Sequence, residues 1–191
     1  VAEVFPGGDK SIGKENIRAL KSGAIKKALE SAGITAKFVI SSVSGESIIV
    51  RYIQLHDMPE EELKNALKWE AEEYIPFPID EVNIDSVILG KTGEGTGTKV
   101  NILLVATKKE IINEHIDIIR SVGLTPIIVD VDSFAFLNCF EINYKPSLND
   151  VVALINIGSE ITSINIYVGG ASKFSRDINI AGDSVTNAIQ G

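Results

Sequence analysis

The sequence predicts an α/β fold in which one α/β layer is interrupted by a compact β-α-β-β-α segment. Three observations carry this. Helical and strand patterns alternate before residue 47 and again after 124. The strand runs at 37–43 and 125–131 contain the nearly continuous apolar stretches Phe38-Val39-Ile40 and Ile127-Ile128-Val129, the pattern of strands buried on both faces. Between them, residues 47–122 read as strand, helix, hairpin and helix, so they form an insertion. After 150, three strands in quick succession begin a new α/β unit.

In order, residues 1–13 contain Gly and Pro and read as a loose entry. A helix is predicted over 14–32, with Ile17, Leu20, Ala24 and Ala28 on one face and Gly33 as its stop. Strands follow at 37–43 and 48–55, separated by a turn at Ser44-Gly45-Glu46. Val82, Ile84 and Ser86 share one face of the next strand, Asp85, Val87 and Leu89 the other; with residues 100–107 it makes a hairpin. The tip, Gly93-Glu94-Gly95-Thr96-Gly97, superficially resembles a dinucleotide loop but leads into a strand rather than opening a helix. A helix over 109–122 puts Ile112, Ile116 and Ile119 inward and ends at Gly123, with His115 bordering the stripe as a structural residue. Asp132 is expected to cap a short helix carrying Phe134, Phe136, Leu137 and Phe140. Residues 143–150 are a linker, Gly169-Gly170 turns a second hairpin, and Asp183 caps a closing helix.

The helix after residue 57 has an unusual wheel. Asp57 is expected to cap it with Glu60 as reciprocal partner, Pro59 sits in the first turn, and Pro76 and Pro78 stop it. At about 100° per residue, Leu63, Ala66, Leu67, Ala71 and Tyr74 share a stripe that also contains Glu70. Trp69, the only tryptophan, falls outside the stripe beside Glu62 and Glu73. Two readings stand: Glu70 is a satisfied, semi-buried acid while Trp69 packs on a neighbouring subdomain, or Trp69 lines a groove for another polypeptide.

Composition narrows the class. The chain has 191 residues, 45% hydrophobic and 23% charged, which suits a soluble globular protein of one large or two small domains. A net charge of −8 argues against nucleic-acid binding and against docking on an anionic membrane. A single cysteine, Cys139, cannot form an internal disulfide, so a reducing cytoplasm is the simplest setting. No apolar run approaches membrane-spanning length, and the Val1 start suggests a piece of a longer chain. His56, His115 and Cys139 have no metal-ligand spacing, and no nucleophile is paired with a base. Asn156-Ile157-Gly158-Ser159 followed by Thr162 forms a strand–turn–strand corner where backbone N–H groups, helped by two hydroxyls, could cradle a phosphate.

Two stretches carry a resemblance. The first runs Val50-Arg51-Tyr52-Ile53-Gln54-Leu55, Trp69-Glu70-Ala71-Glu72, Tyr74-Ile75-Pro76-Phe77-Pro78 and Glu81-Val82; the second is Phe174-Ser175-Arg176-Asp177-Ile178 with Ala181-Gly182. Together they resemble the PilM family of type IV pilus assembly proteins, over nearly the whole chain. The resemblance implies an actin-like (RNase H-like, FtsA-like) ATPase fold, of which this chain is a fragment. Residues 47–122 would be the inserted 1C subdomain, 1–46 and 123–145 part of subdomain 1A, and 146–191 the beginning of 2A. It implies a cytoplasmic scaffold, peripheral to the inner membrane through a partner, that holds the N-terminal tail of a PilN-like membrane protein between 1A and 1C and meets other pilus platform proteins. Arg51, Trp69, Glu70, Tyr74 and Phe77 would be the partner-binding residues, and the open sheet edges left in a fragment imply self-association. The alternatives are an actin-like ATP-binding protein or ATPase, and an FtsA-like division protein.

For the ATPase alternative the phosphate-loop residues would be Asn156, Gly158, Ser159, Thr162 and Gly182. Here the sequence departs from the family, which usually has Asp where Asn156 stands, and Asn carries no charge to hold a Mg²⁺ shell. ATP and Mg²⁺ would therefore belong to the full-length protein, with neither a cofactor nor catalysis expected of this fragment.

Overall fold

The computed structural model describes residues 13–45, 48–93 and 95–190; the expected loose entry and the Glu46 end of the predicted turn lie outside them. The chain divides into two compact units. One comprises the described residues up to Val43 together with Ile111–Asp130; the other comprises Ser44–Glu110 and the residues from Val131 onward. These limits differ from the sequence boundaries at 47 and 122, because most of the helix after 109 groups with the first unit.

The first unit is two helix–strand pairs. Helix α1 (Lys14–Ser31) leads to β1 (Phe38–Val43). The second pair comes later in the chain, α3 (Lys109–Ser121) leading to β5 (Thr125–Val131). Both helices end the same way. Gly33 and Gly123 have φ of 64° and 80°, and Ile34 and Leu124 donate back to the carbonyls of Leu29 and Ile119, the closure that a left-handed glycine permits. Ser22 and Ser121 hydroxyls meet at 2.9 Å, and Arg18 lies 3.7 Å from Asp117. His115 Nε2 bonds Ser41 Oγ at 2.9 Å, tying α3 to β1 as a structural histidine would. β1 pairs with β5 in a two-stranded sheet. Burial of both faces is not observed: Phe38 is 69% exposed and Ile40 63%, since two strands present little sheet for other elements to cover.

The second unit holds two three-stranded antiparallel sheets. In the first, β2 (Ile48–His56) and β3 (Val82–Thr92) both pair antiparallel with β4 (Lys99–Lys108), giving the order β2-β4-β3. β2 and β3 therefore run in one direction, and α2 (Glu60–Tyr74) is the crossover that parallel strands require. α2 lies on the face formed by Ile49, Ile53, Leu55, Val100, Ile102, Leu104 and Ala106, to which it contributes Leu63 and Ala71. The hairpin tip needs glycine: Gly93 has φ of 92°, and a Cβ there would lie 2.9 Å from Gly97 O.

Three cap expectations are corrected. Asp57 does not cap α2; the cap position is Pro59, without a side-chain bond, and Asp57 instead takes Lys91 Nζ at 2.6 and 2.7 Å. The lysine offers the carboxylate a charged partner, stronger than a neutral amide. Glu60 pairs with Lys64 at 2.7 Å, which holds its carboxyl below the usual range. Asp132 falls inside the first turn of α4 (Asp132–Tyr144), whose cap position is Val131. Asp183 likewise lies in the first turn of α5 (Gly182–Gln190), and Ser184 Oγ accepts the Ala181 N–H.

The second sheet has the order β6-β7-β8, from β6 (Val151–Ile157), β7 (Thr162–Val168) and β8 (Ala171–Ile178). Gly169 and Gly170, both at positive φ, turn β7 into β8. α4 covers one face, with Leu137, Leu154 and Tyr167 buried together and Phe140 edge-on to Tyr167. A bulge at the start of β8 skips Lys173 in the pairing. Tyr52 of β2 reaches Ser172 of β8, oxygen to oxygen 2.7 Å, and Ser172 donates to Asn165 Oδ1 at 3.0 Å. Burial raises the Tyr52 phenol above its ordinary pKa despite that hydrogen bond.

Candidate functional site

A cleft of about 370 Å³ opens in the second unit beside the two strands that this tyrosine links. Its walls are Gly45, Ile48, Val50 and Arg51 on one side, and Ser175, Arg176 and Asp177 of β8 on the other. Val131 and Ser133, at the start of α4, complete the lining. β2 and β8 are both outer strands of their sheets, so the cleft is bordered by strand edges. Register explains Arg51. It pairs with Leu104, between positions where Ile49 and Ile53 face the core, so its side chain starts on the apolar face. At an outer strand it can swing out, and Nη1 returns to Val50 O at 2.9 Å. Asp177 Oδ2 accepts the Gly45 N–H at 3.2 Å, and Ser175 donates to Ser133 Oγ at 2.9 Å. Arg51 and Arg176 thus bring two guanidinium groups to one concave surface that also offers apolar side chains and backbone.

The other residues expected in the groove do not line this cleft. Trp69 stands on the outward face of α2 and is 74% exposed, on the side its wheel position predicts. Glu70 is half-buried, and Tyr74 is on the margin of the core rather than within it. Phe77 lies past the end of α2 in a second, shallower hollow of about 490 Å³ with Glu72, Pro78, Ile79 and Asp80. There Lys108 Nζ sits 4.3 Å from the Phe77 ring centre and Lys109 donates to Asp80 O at 2.7 Å. The cleft residues Ser133, Ser175, Arg176 and Asp177 escape the site reading of the sequence. Arg176 had a signal, a charge on a strand ending beside a turn, but which sheet edge it would meet is a matter of topology.

The phosphate-loop residues are brought together, but their donors are committed. Gly158 N–H donates to Ile161 O at 3.0 Å, and the Thr162 hydroxyl, buried, donates to Ile180 O at 2.6 Å. Gly182 N–H goes to Gly158 O at 3.0 Å, and a Cβ on Gly182 would lie 3.2 Å from that oxygen, so the glycine serves close packing of loop on helix. Asp183 places a carboxylate in the first turn of α5, where an anion would otherwise be drawn. Asn156 and Ser159 are exposed. As they stand, Gly158, Thr162 and Gly182 have their donors turned to backbone carbonyls rather than to a phosphate. Among the described residues no cluster of His, Cys, Asp or Glu could hold a metal ion, Cys139 is an exposed free thiol, and no helix is long and apolar enough to cross a membrane.

Comparison with known proteins gives a coherent result. The family profile described as type IV pilus assembly protein PilM matches residues 8–191. Among solved structures, a PilM–PilN type IV pilus biogenesis complex is similar with a TM-score of 0.82 and 30% identity, over 97% of this chain and 56% of that one. The cytoplasmic domain of EpsL, an inner-membrane component of the type II secretion system of Vibrio cholerae, is similar with a TM-score of 0.55 and 13% identity, over 83% of this chain and 56% of that one. The second likeness concerns the fold alone. The chain spans little more than half the length of either.

Proposed function

Because the chain belongs to the PilM family of type IV pilus assembly proteins, we propose that it is an adaptor of the pilus assembly platform whose cleft holds the N-terminal tail of a PilN-like membrane protein. The observation that carries this reading is the cleft itself, concave, bordered by two outer strands and furnished with Arg51 and Arg176. An extended segment laid along an outer strand gains main-chain hydrogen bonds, while the walls select its side chains. Support also comes from the similar solved structure, in which a PilM is in complex with PilN. The segment 47–122 acts as the 1C-type insertion, between 1A pieces at 1–46 and 123–145 and the start of 2A at 146–191. The adaptor is cytoplasmic and meets the inner membrane and the other platform proteins through its partner. We assign no nucleotide step to this chain, given the committed donors of Gly158 and Thr162.

Calorimetric titration with a synthetic PilN-like tail peptide, without nucleotide, tests the reading. Saturable binding is expected, weakened at least about tenfold by Arg51→Glu or Arg176→Glu, in line with losing one charge-assisted contact. Absence of binding, or binding indifferent to both substitutions, refutes it.

A further inference from the structure

Trp69 has no role in that cleft, and its surroundings suit a different partner. It projects from the outward face of α2, 74% exposed, and makes no ring or cation contact among the described residues. Positions three, four and seven residues away share its side of the helix. They are Glu62, Asn65, Ala66, Glu72 and Glu73, so the indole is set among three carboxylates on that side of the helix. Of the lysines of α2, Lys64 holds Glu60 and Lys68 stands one turn before Glu72, which leaves Glu62 and Glu73 with no lysine three or four residues away on the helix. Glu72 also borders the hollow of Phe77, Pro78, Ile79 and Asp80, which makes indole, acids and hollow one continuous surface.

We infer that this face of α2 is a second docking surface, for a basic amphipathic segment of another protein. Three features select that occupant. An exposed indole is a strong cation–π acceptor, and a Lys or Arg beside it would also answer the carboxylates. The hollow receives an apolar side chain of the same segment against Pro78 and Ile79, because the Phe77 ring already carries Lys108 and Asp80 O already takes Lys109. A second copy is disfavoured, because the acidic face would meet itself and the chain carries a net charge of −8. Tail binding in the cleft and docking on α2 are independent, since no residue of α2 lines the cleft.

Trp69 is the only tryptophan, so its emission reports this surface directly. The probe is a synthetic peptide of alternating Lys and Leu residues, with a Glu and Leu peptide of equal length as control. The basic peptide should shift Trp69 emission saturably, with affinity falling about tenfold between 50 and 300 mM salt, whereas the acidic peptide should be silent. Glu72→Lys with Glu73→Lys should weaken binding at least about tenfold. Glu15→Lys with Glu114→Lys changes net charge equally at residues that belong to neither α2 nor the hollow, and should have less than about threefold effect. Trp69→Phe should weaken peptide binding measured by calorimetry and leave the PilN-like tail peptide unaffected, while Arg51→Glu should do the reverse. No saturable response, or equal losses from the two charge-reversal pairs, overturns the inference.

Discussion

The hydrogen-bonded chain from Tyr52 through Ser172 to Asn165 makes a quantitative prediction, because its members differ in what they leave behind when removed. Ser172 donates to Asn165 Oδ1, so the Tyr52 hydroxyl is the donor to Ser172 Oγ. Tyr52→Phe deletes one bond and leaves Ser172 still donating. The expected loss is about 1 kcal/mol, the net worth of an ordinary hydrogen bond. Ser172→Ala deletes two bonds and strands both neighbours. Tyr52 is half-buried and can turn toward water, but Asn165 is 1% exposed and its Nδ2 already has no protein partner. Stranding its oxygen as well adds the cost of a buried unsatisfied acceptor, so the total comes to about 2–3 kcal/mol. The double variant should lose less than the sum, by a coupling of about 0.5–1.5 kcal/mol. Urea unfolding followed by far-ultraviolet circular dichroism measures all three, with unchanged slopes required for the comparison. If Tyr52→Phe costs as much as Ser172→Ala, or the two effects simply add, β2 and β8 are not joined through this chain.

Two further outcomes follow from single residues. Burial holds the Tyr52 phenol above its ordinary value of 10.0, so the native protein keeps a proton that the unfolded chain releases as pH rises past that value. The contribution is whole below pH 10 and is lost above it, so the stability difference between the protein and Tyr52→Phe should shrink on alkaline titration; a constant difference refutes this. Gly93→Ala should lower stability by about 1–2 kcal/mol in thermal melts, because alanine must adopt φ of 92° with its Cβ 2.9 Å from Gly97 O; a neutral result means that the hairpin tip does not hold that conformation.

Much of the fold is legible because it depends on neighbours in sequence. The Gly33 and Gly123 stops, the Gly169-Gly170 turn and the outward Trp69 follow from local backbone freedom or helix period, and the structure has each of them. The failures share a different cause. Asp57 carries the local signature of a cap, but Lys91, 34 residues on, offers its carboxylate a stronger bond. Phe38 and Ile40 read as doubly buried, yet an apolar run states only what a strand would bury if something covered it. The cleft combines both problems. Arg51 is visible as a charge in an apolar strand, but Ser175 and Arg176 reach it only because β2 and β8 are both outermost in their sheets.

Outer strands also separate two roles that one arginine could fill. A charge on the inward face of an outer strand is a known guard against pairing with other chains, and Arg51 occupies such a position, opposite Leu104. β6 has no equivalent: its seven residues carry no charge, and Val151, Ile155 and Ile157 are exposed along it. We therefore expect concentration-dependent self-association through β6, measured by light scattering. Ile155→Lys should abolish it, as a lysine blunts an edge. Arg51→Leu should add a second mode of association if the guanidinium is a guard, and should leave association unchanged while weakening the tail peptide if it is only a ligand contact. A monomer at high concentration refutes the β6 interface. Association of Arg51→Leu with full peptide affinity would remove Arg51 from the binding surface and leave Arg176 as the cleft's cation.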